Sequence, residues 1–257
     1  YDIFTETGIE SDRLLNLFTF SIEDITTDTG LDVSTVRRVL QRFSLEGNSN
    51  AGFIGINDFN EYNAKPLLSL PDDEYVVFQL YSITEAFYES PYYWMLEDKT
   101  YVNTAMDNRG NFAEIYSEER LIRVFGRDRV YTNVTLSASK KKISQEIDVL
   151  VVFADRAIVV QAKSKKLTME SRKGNDQKIK DDFKKSVQDA YDQGYACASL
   201  LNDDQYVLRD TEQNTICEGR KFSEIYIFCI VLDSYPALSF QARQFLEYQS
   251  DYIIKPP

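Results

Sequence analysis

Two stretches joined by a tight turn carry the residues with the most chemical potential. Gln145 to Phe153 holds Asp148, and Ala157 to Lys163 holds Gln161 and Lys163. Both are short, apolar and rich in β-branched residues, so each reads as a β-strand. If Ala154 pairs with Ala157 across the turn Ala154-Asp155-Arg156-Ala157, Asp148 stands opposite Lys163 and Leu150 opposite Gln161. Side chains alternate between faces, so Asp148, Leu150, Gln161 and Lys163 share one face. Directly opposed residues lie about 5 Å apart at Cβ. A carboxylate, an amide and an ammonium group thus meet at one end of a hairpin. The surrounding run from Ile147 to Phe153 is apolar, and a charge buried there must be paired or bound to a metal. A structural Asp148–Lys163 salt bridge meets that requirement as well as a metal site does.

Composition restricts the chemistry further. Histidine is absent, which excludes His-based acid–base catalysis, His metal ligands and a Ser-His-Asp triad. Cys197, Cys217 and Cys229 are widely spaced, with no CxxC pair, and support neither a disulfide framework nor a zinc site. Isolated thiols suit a reducing, cytoplasmic setting. Carboxylates, lysines and oxygen-ligated metals such as magnesium remain. The longest apolar run is far too short to cross a bilayer, so no membrane span is expected. The chain starts at Tyr1 and ends Lys255-Pro256-Pro257, and is expected to be a piece of a longer protein with further domains or subunits.

Charge is unevenly distributed. The chain carries −12 overall, yet Lys140 to Lys185 holds thirteen basic residues against seven acids, leaving −18 on the other 211 residues. One anionic partner bound at one basic surface fits that asymmetry. A solvated lysine-rich loop and helix is the plainer explanation.

These strands sit within a longer alternation. Phe112 to Phe125 predicts an amphipathic helix with Ile115, Leu121, Ile122 and Phe125 buried. Arg129 to Leu136 predicts a strand, Lys178 to Leu201 a long helix, Glu224 to Leu232 a buried strand, and a last helix follows Pro236. The order is α-β-β-β-α-β, then α: a mixed α/β domain over residues 110–257.

Glu146-Ile147-Asp148, then Ile158-Val-Val-Gln-Ala-Lys163, resembles the Asp…(Glu/Gln)-x-Lys signature of the PD-(D/E)xK nucleases of the restriction-endonuclease-like superfamily. Gly110-Asn-Phe-Ala-Glu114, with Leu121 seven residues on, is similar to the opening helix of that core. The similarity is strongest to the nuclease-related domain, and the Gln-x-Lys form also resembles Mrr-like type IV restriction endonucleases. It spans about residues 110–232.

That resemblance implies a restriction-endonuclease-like core and a Mg²⁺- or Mn²⁺-dependent DNA endonuclease of bacterial restriction or anti-phage defence. Asp148, Gln161 and the Ala162 carbonyl would ligate the metal, and Glu114 would reach it through water. Lys163 would orient the attacking water. Lys165, Lys166, Lys184 and Lys185 would hold flanking phosphates. Glu118 and Glu119 are alternatives to Glu114, and Gln188, with Tyr191 close by, is a further candidate. Position 161 is Gln where most of the superfamily has Glu, so the site is one negative charge short. Native use of Gln, a degenerate site that only binds or regulates on DNA, and a substitution that traps an inactive state are the competing explanations. RNA is an alternative substrate. A homodimer would supply the two active sites that a simultaneous double-strand cut needs.

Residues 1–109 form a separate, mostly helical region. Ile22 to Leu40 resembles a helix-turn-helix: Ile22 and Ile25 face inward, Gly30 turns, Ser34 caps the second helix, and Val36, Val39 and Leu40 form its apolar face. Arg37, Arg38 and Arg42 would face DNA, although residues 1–60 carry a net −6. A helix-turn-helix used for packing or protein contacts fits equally. Pro66 to Leu70 and Tyr75 to Tyr81 predict strands, and Ser82 to Glu89 a helix that Pro91 interrupts. Tyr88, Tyr92, Tyr93 and Trp94 read as packing residues before base-stacking ones.

Overall fold

Gly30, at φ +69°, ends one helix and lets the chain turn sharply into the next. The structure, a computed structural model, describes residues 15–46, 50–55, 58–138, 143–166, 168, 171, 176–232 and 238–257. Residues 1–14 of the expected mostly helical region, and Lys140, Lys141, Lys142, Arg172 and Lys173 of the basic stretch, lie outside the described residues. The chain divides into two compact units, Tyr1–Ala105 and Met106–Pro257.

In the first unit, β1 (Thr19–Ser21) leads into α1 (Ile22–Thr29) and α2 (Val33–Arg42). Asp32, not Ser34, caps α2: its carboxylate accepts from the Ser34 and Thr35 amides and the Thr35 hydroxyl. Those bonds, the Thr35 hydroxyl first, hold its pKa down at about 2. Ile22, Val36 and Leu40 are buried, whereas Val39 is 44% exposed. β2 (Ser44–Leu45), β3 (Leu67–Ser69) and β4 (Glu74–Val76) complete a four-stranded sheet ordered β1-β4-β3-β2. The expected strand from Tyr75 stops at Val76, because α3 (Leu80–Glu97) starts soon after. α3 continues through Pro91. Its face of Ser82, Ala86 and Ser90 is buried, and Ser90 donates to the Ala64 carbonyl, which anchors the helix beside the proline. Trp94 packs on the core beside Phe43, as its aromatic cluster predicts.

The helix α4 (Val102–Phe125) begins ten residues before the expected start. Within the second unit its inward stripe is Ala113, Ser117, Leu121, Ile122 and Phe125. Ile115 is 54% exposed, because it lies about 200° round the helix from both Ala113 and Ser117. β5 (Val130–Ser137), β6 (Ile143–Phe153) and β7 (Arg156–Lys163) then form an antiparallel run. A helical stretch follows in three parts: α5 (Asp176–Phe183), a π-helix (Lys184–Gln188) and α6 (Asp189–Leu200). Phe183, Val187 and Tyr191 are buried at four-residue steps. In an α-helix such a row drifts about 40° per step, and the wider π turn offsets that drift. Sequence periodicity misses the small strands β8 (Val207–Arg209) and β9 (Thr215–Ile216). β10 (Glu224–Val231) pairs parallel to β7, and α7 (Leu238–Phe245) follows.

The sheet order is β10-β7-β6-β5-β8-β9. α6 covers one face, with Tyr191, Cys197, Ala198 and Leu201 over Val134, Leu150 and Val159. α4 covers the other, with Leu121, Ile122 and Phe125 over Val149, Val151 and Val160. The expected mixed α/β core is thus present, with an extra hairpin. The C-terminal segment docks on β10: the Ile225 amide donates to the Ile253 carbonyl and the Lys255 amide to the Ile225 carbonyl, each at 2.9 Å.

Candidate active site

The β6–β7 hairpin keeps a two-residue loop but closes one residue earlier than the sequence arithmetic assumes. Phe153 pairs with Arg156, so the loop is Ala154-Asp155 instead of Asp155-Arg156, and Ala154 takes the left-handed conformation at φ +52°. Turn rules reserve that conformation for Gly, Asn or Asp, which is why the sequence suggests a different closing pair. The ladder therefore runs Val149–Val160 and Leu150–Val159, and Asp148 follows in line with Gln161 rather than Lys163.

A second irregularity falls at the same level. Ile147 and Leu150 pack in the α6-side cluster, whereas Val149 and Val151 pack on the α4 side. Strict alternation would put Ile147 with Val149. The slip centres on Asp148, alongside Asn133 of β5, which sits at φ +48°. There the Asp148 carboxylate takes over from the ladder: its Oδ2 accepts the Ala162 amide at 2.7 Å. Burial raises the Asp148 pKa and Glu146 adds to it, while the Ala162 bond and Lys163 pull it back. No Asp148–Lys163 salt bridge forms among the described residues.

Gln161 and Lys163 point toward α6. Gln161 is wholly buried and donates through Nε2 to the Glu146 carbonyl at 3.0 Å. Its Oε1 is buried without a hydrogen-bond donor among the described residues. Lys163 Nζ donates to Gln193 Oε1 at 2.9 Å. A neutral amide steadies the ammonium group without cancelling its charge. Glu114, half-buried on α4, completes the group. Its pKa is raised by burial first, then by the charges of Asp148 and Glu146, with Lys163 opposing. Glu114, Glu146, Asp148 and Lys163 therefore lie within mutual electrostatic reach at the end of the hairpin.

The other expected residues are placed differently. Glu118 pairs with Arg127, and Glu119 is exposed. Gln188 serves the fold, bonding Asp192 and both backbone groups of Glu247. Lys184 and Lys185 are exposed on the π-helix, and Lys166 is half-buried. The Lys165 ammonium lies 3.3 Å from the Asp182 carboxylate. In the first unit, Arg37 is bonded to Asp73 at 2.6 Å and Arg42 stacks over Trp94, while Arg38 is exposed.

Sequence reasoning missed Gln193, Cys197 and Arg109. Cys197 lies against Gln161 and the Glu146 carbonyl, with its thiol pushed up to about 12, chiefly by burial. Arg109 Nε donates to the Ser164 carbonyl at 2.9 Å. One signal was available: Gly194, a glycine inside a helix, marks close approach. A Cβ there would sit 2.6 Å from Ile227 Cγ2 and 3.6 Å from Gln161 Cγ. Gly194→Ala is expected to destabilise the fold by about 1–3 kcal/mol through overpacking, less the roughly 1 kcal/mol that alanine contributes to helix propensity. Urea unfolding would show a lower midpoint.

Gln161 Oε1, Asp148 and the Ala162 carbonyl are the oxygens that could hold a metal, with Glu114 nearby. Among the described residues, no group of three or more His, Cys, Asp or Glu is placed to hold a metal ion, and no helix is long and apolar enough to cross a membrane. Residues 109–231, just under half of the chain, match the family model described as the nuclease-related domain. No curated protein and no solved structure matches the chain.

Proposed function

We propose that the nuclease-related domain at residues 109–231 is a divalent-metal-dependent endonuclease acting on DNA, serving restriction or anti-phage defence. The observation that carries this reading is Gln161 Oε1. A buried oxygen acceptor without a donor is costly and rare, and this one belongs to the residue in line with Asp148, beside two further carboxylates. A hard cation suits those oxygens. Asp148 commits Oδ2 to the Ala162 amide and offers its other oxygen. Gln161 Oε1 and the Ala162 carbonyl add neutral donors, and Glu114 would hold a metal-bound water. When bound, Mg²⁺ or Mn²⁺ would polarise the phosphate and acidify a water. Lys163, held by Gln193, would orient that water and balance charge on the phosphate. The exposed Lys184 and Lys185 would grip the flanking backbone. Arg38 is the arginine of α2 best placed for DNA, since Arg37 and Arg42 are engaged within their own unit.

A catalytically degenerate, DNA-binding module is the second reading. The neutral Gln161 and the absence, among the described residues, of three acids placed to hold a metal ion favour it. Incubating supercoiled plasmid, single-stranded DNA and RNA with the protein in Mg²⁺, Mn²⁺ or EDTA separates the two. Nicking that needs the metal is expected. Salt-dependent binding with no nicking in either metal would overturn the nuclease reading in favour of the second.

A further inference from the structure

Asp182, on α5, is a charged residue left only 3% exposed. A buried carboxylate must be compensated by cations or hydrogen bonds. Among the described residues, the groups that compensate the Asp182 carboxylate come from one short segment, beginning two residues after Lys163. Lys165 Nζ approaches its Oδ1 at 3.3 Å. The Thr168 amide, the Thr168 hydroxyl and the Ser171 hydroxyl donate to its Oδ2 at 2.7, 2.8 and 2.5 Å.

The chain leaving β7 is also held just before this point. The Lys163 carbonyl accepts from the Leu232 amide at 3.2 Å, and the Ser164 carbonyl accepts from Arg109 Nε at 2.9 Å. Successive polar groups at residues 163, 164, 165 and 168 are thus taken by the residue after β10, by α4 and by α5. The two lysines at this exit are treated oppositely. Lys163 meets a neutral amide and keeps its charge, whereas Lys165 meets a carboxylate and is neutralised. An anchor is expected to look like the second and a working cation like the first.

We propose that Asp182 is a positioning residue for the Lys163 site: it fixes the segment after β7, and thereby the aim of the Lys163 ammonium group. It binds neither metal nor nucleic acid itself. The inference rests on the nuclease reading only for its kinetic consequence, because the aim of Lys163 can be observed without activity.

The test uses Asp182→Asn, which keeps an acceptor for Thr168 and removes the charge facing Lys165. Ser171→Ala, which deletes a single bond, is the gentler second variant should Asp182→Asn fail to fold. Reductive ¹³C-methylation of the lysines, with the Lys163 signal assigned by its loss in Lys163→Arg, reports the ammonium environment. The wild type is expected to give one sharp Lys163 resonance, and Asp182→Asn a shifted or broadened one in a folded protein. Ser171→Ala should move it in the same direction by less. In nicking assays, kcat of Asp182→Asn should fall about tenfold while KM for DNA stays within twofold. An unchanged Lys163 resonance overturns the proposal, as does a raised KM with unchanged kcat, which would make Asp182 part of the DNA grip. If the wild type nicks nothing, the nuclease reading fails and the resonance alone decides the role of Asp182.

Discussion

Lys163→Ala is expected to lower metal-dependent nicking about 10²–10³-fold, the range seen when one preorganised electrostatic group is removed from a transition state. The size of the effect follows from how Lys163 is held. Its ammonium group is fixed on Gln193 Oε1 at 2.9 Å, and Gln193 in turn leans toward the Glu146 carbonyl at 3.5 Å. The group is oriented before substrate arrives and keeps its full charge. Lys163 is the last residue of β7, so the fold should lose little when its side chain is cut back. DNA affinity should fall modestly, with the salt dependence of binding reduced by about one phosphate contact. Lys163→Arg should not restore the rate, because a planar guanidinium cannot stand in for a compact ammonium held by one amide. Single-turnover nicking alongside binding in Ca²⁺ distinguishes these outcomes. Equal nicking by wild type and Lys163→Ala would remove Lys163 from the chemistry.

The second large effect is expected at Asp148, and it separates stability from function. Asp148→Asn keeps an oxygen to accept the Ala162 amide, so the kink at the end of the hairpin survives. It also removes a carboxylate whose burial raises its pKa, which means that the ionised form is unfavourable in the folded protein. The metal-free variant should therefore melt at the wild-type temperature or higher; a gain of about 1 kcal/mol corresponds to roughly 2–4 °C for a domain of this size. Mn²⁺ should reverse the order. At 100 times its Kd, the ion stabilises the wild type by about 2.7 kcal/mol through mass action, and the variant should show almost none of that shift. Nicking should be lost with it. Thermal melts with and without Mn²⁺ read both effects. A variant that melts lower without metal but keeps the Mn²⁺ shift would mean that Asp148 is structural.

How much of this was legible in sequence differs from element to element. The α-β-β-β-α-β order was readable because each element is long or strongly apolar. β8 and β9, of three and two residues, offer no periodicity to detect. The hairpin arithmetic erred by one pairing step, because Ala154 adopts a conformation that turn rules assign to other residues. That step is two residues in the sum of paired numbers, so Gln161 and Lys163 stay on a common face, but Asp148 moves from Lys163 to Gln161 as its neighbour. The slip in alternation at Asp148 and Asn133 leaves no trace in composition. The basic stretch was visible as charge, but charge alone could not show that Lys165 is neutralised by an acid 17 residues later. Arg37 is a similar case. It fits a DNA-facing helix by spacing, yet its partner is Asp73, from the turn between β3 and β4, 36 residues away. Such long-range pairings are tertiary facts, and a single sequence specifies them only through the fold.

Anomalous scattering from crystals of the protein grown with Mn²⁺ tests the central claim most directly. A peak is expected within coordination distance of Asp148, Gln161 Oε1 and the Ala162 carbonyl, next to Glu114 and one side chain away from Lys163. It should vanish in Asp148→Asn crystals grown in the same way. A hairpin end that stays empty at saturating Mn²⁺, or an ion bound elsewhere while DNA is still nicked, would contradict the assignment of this site.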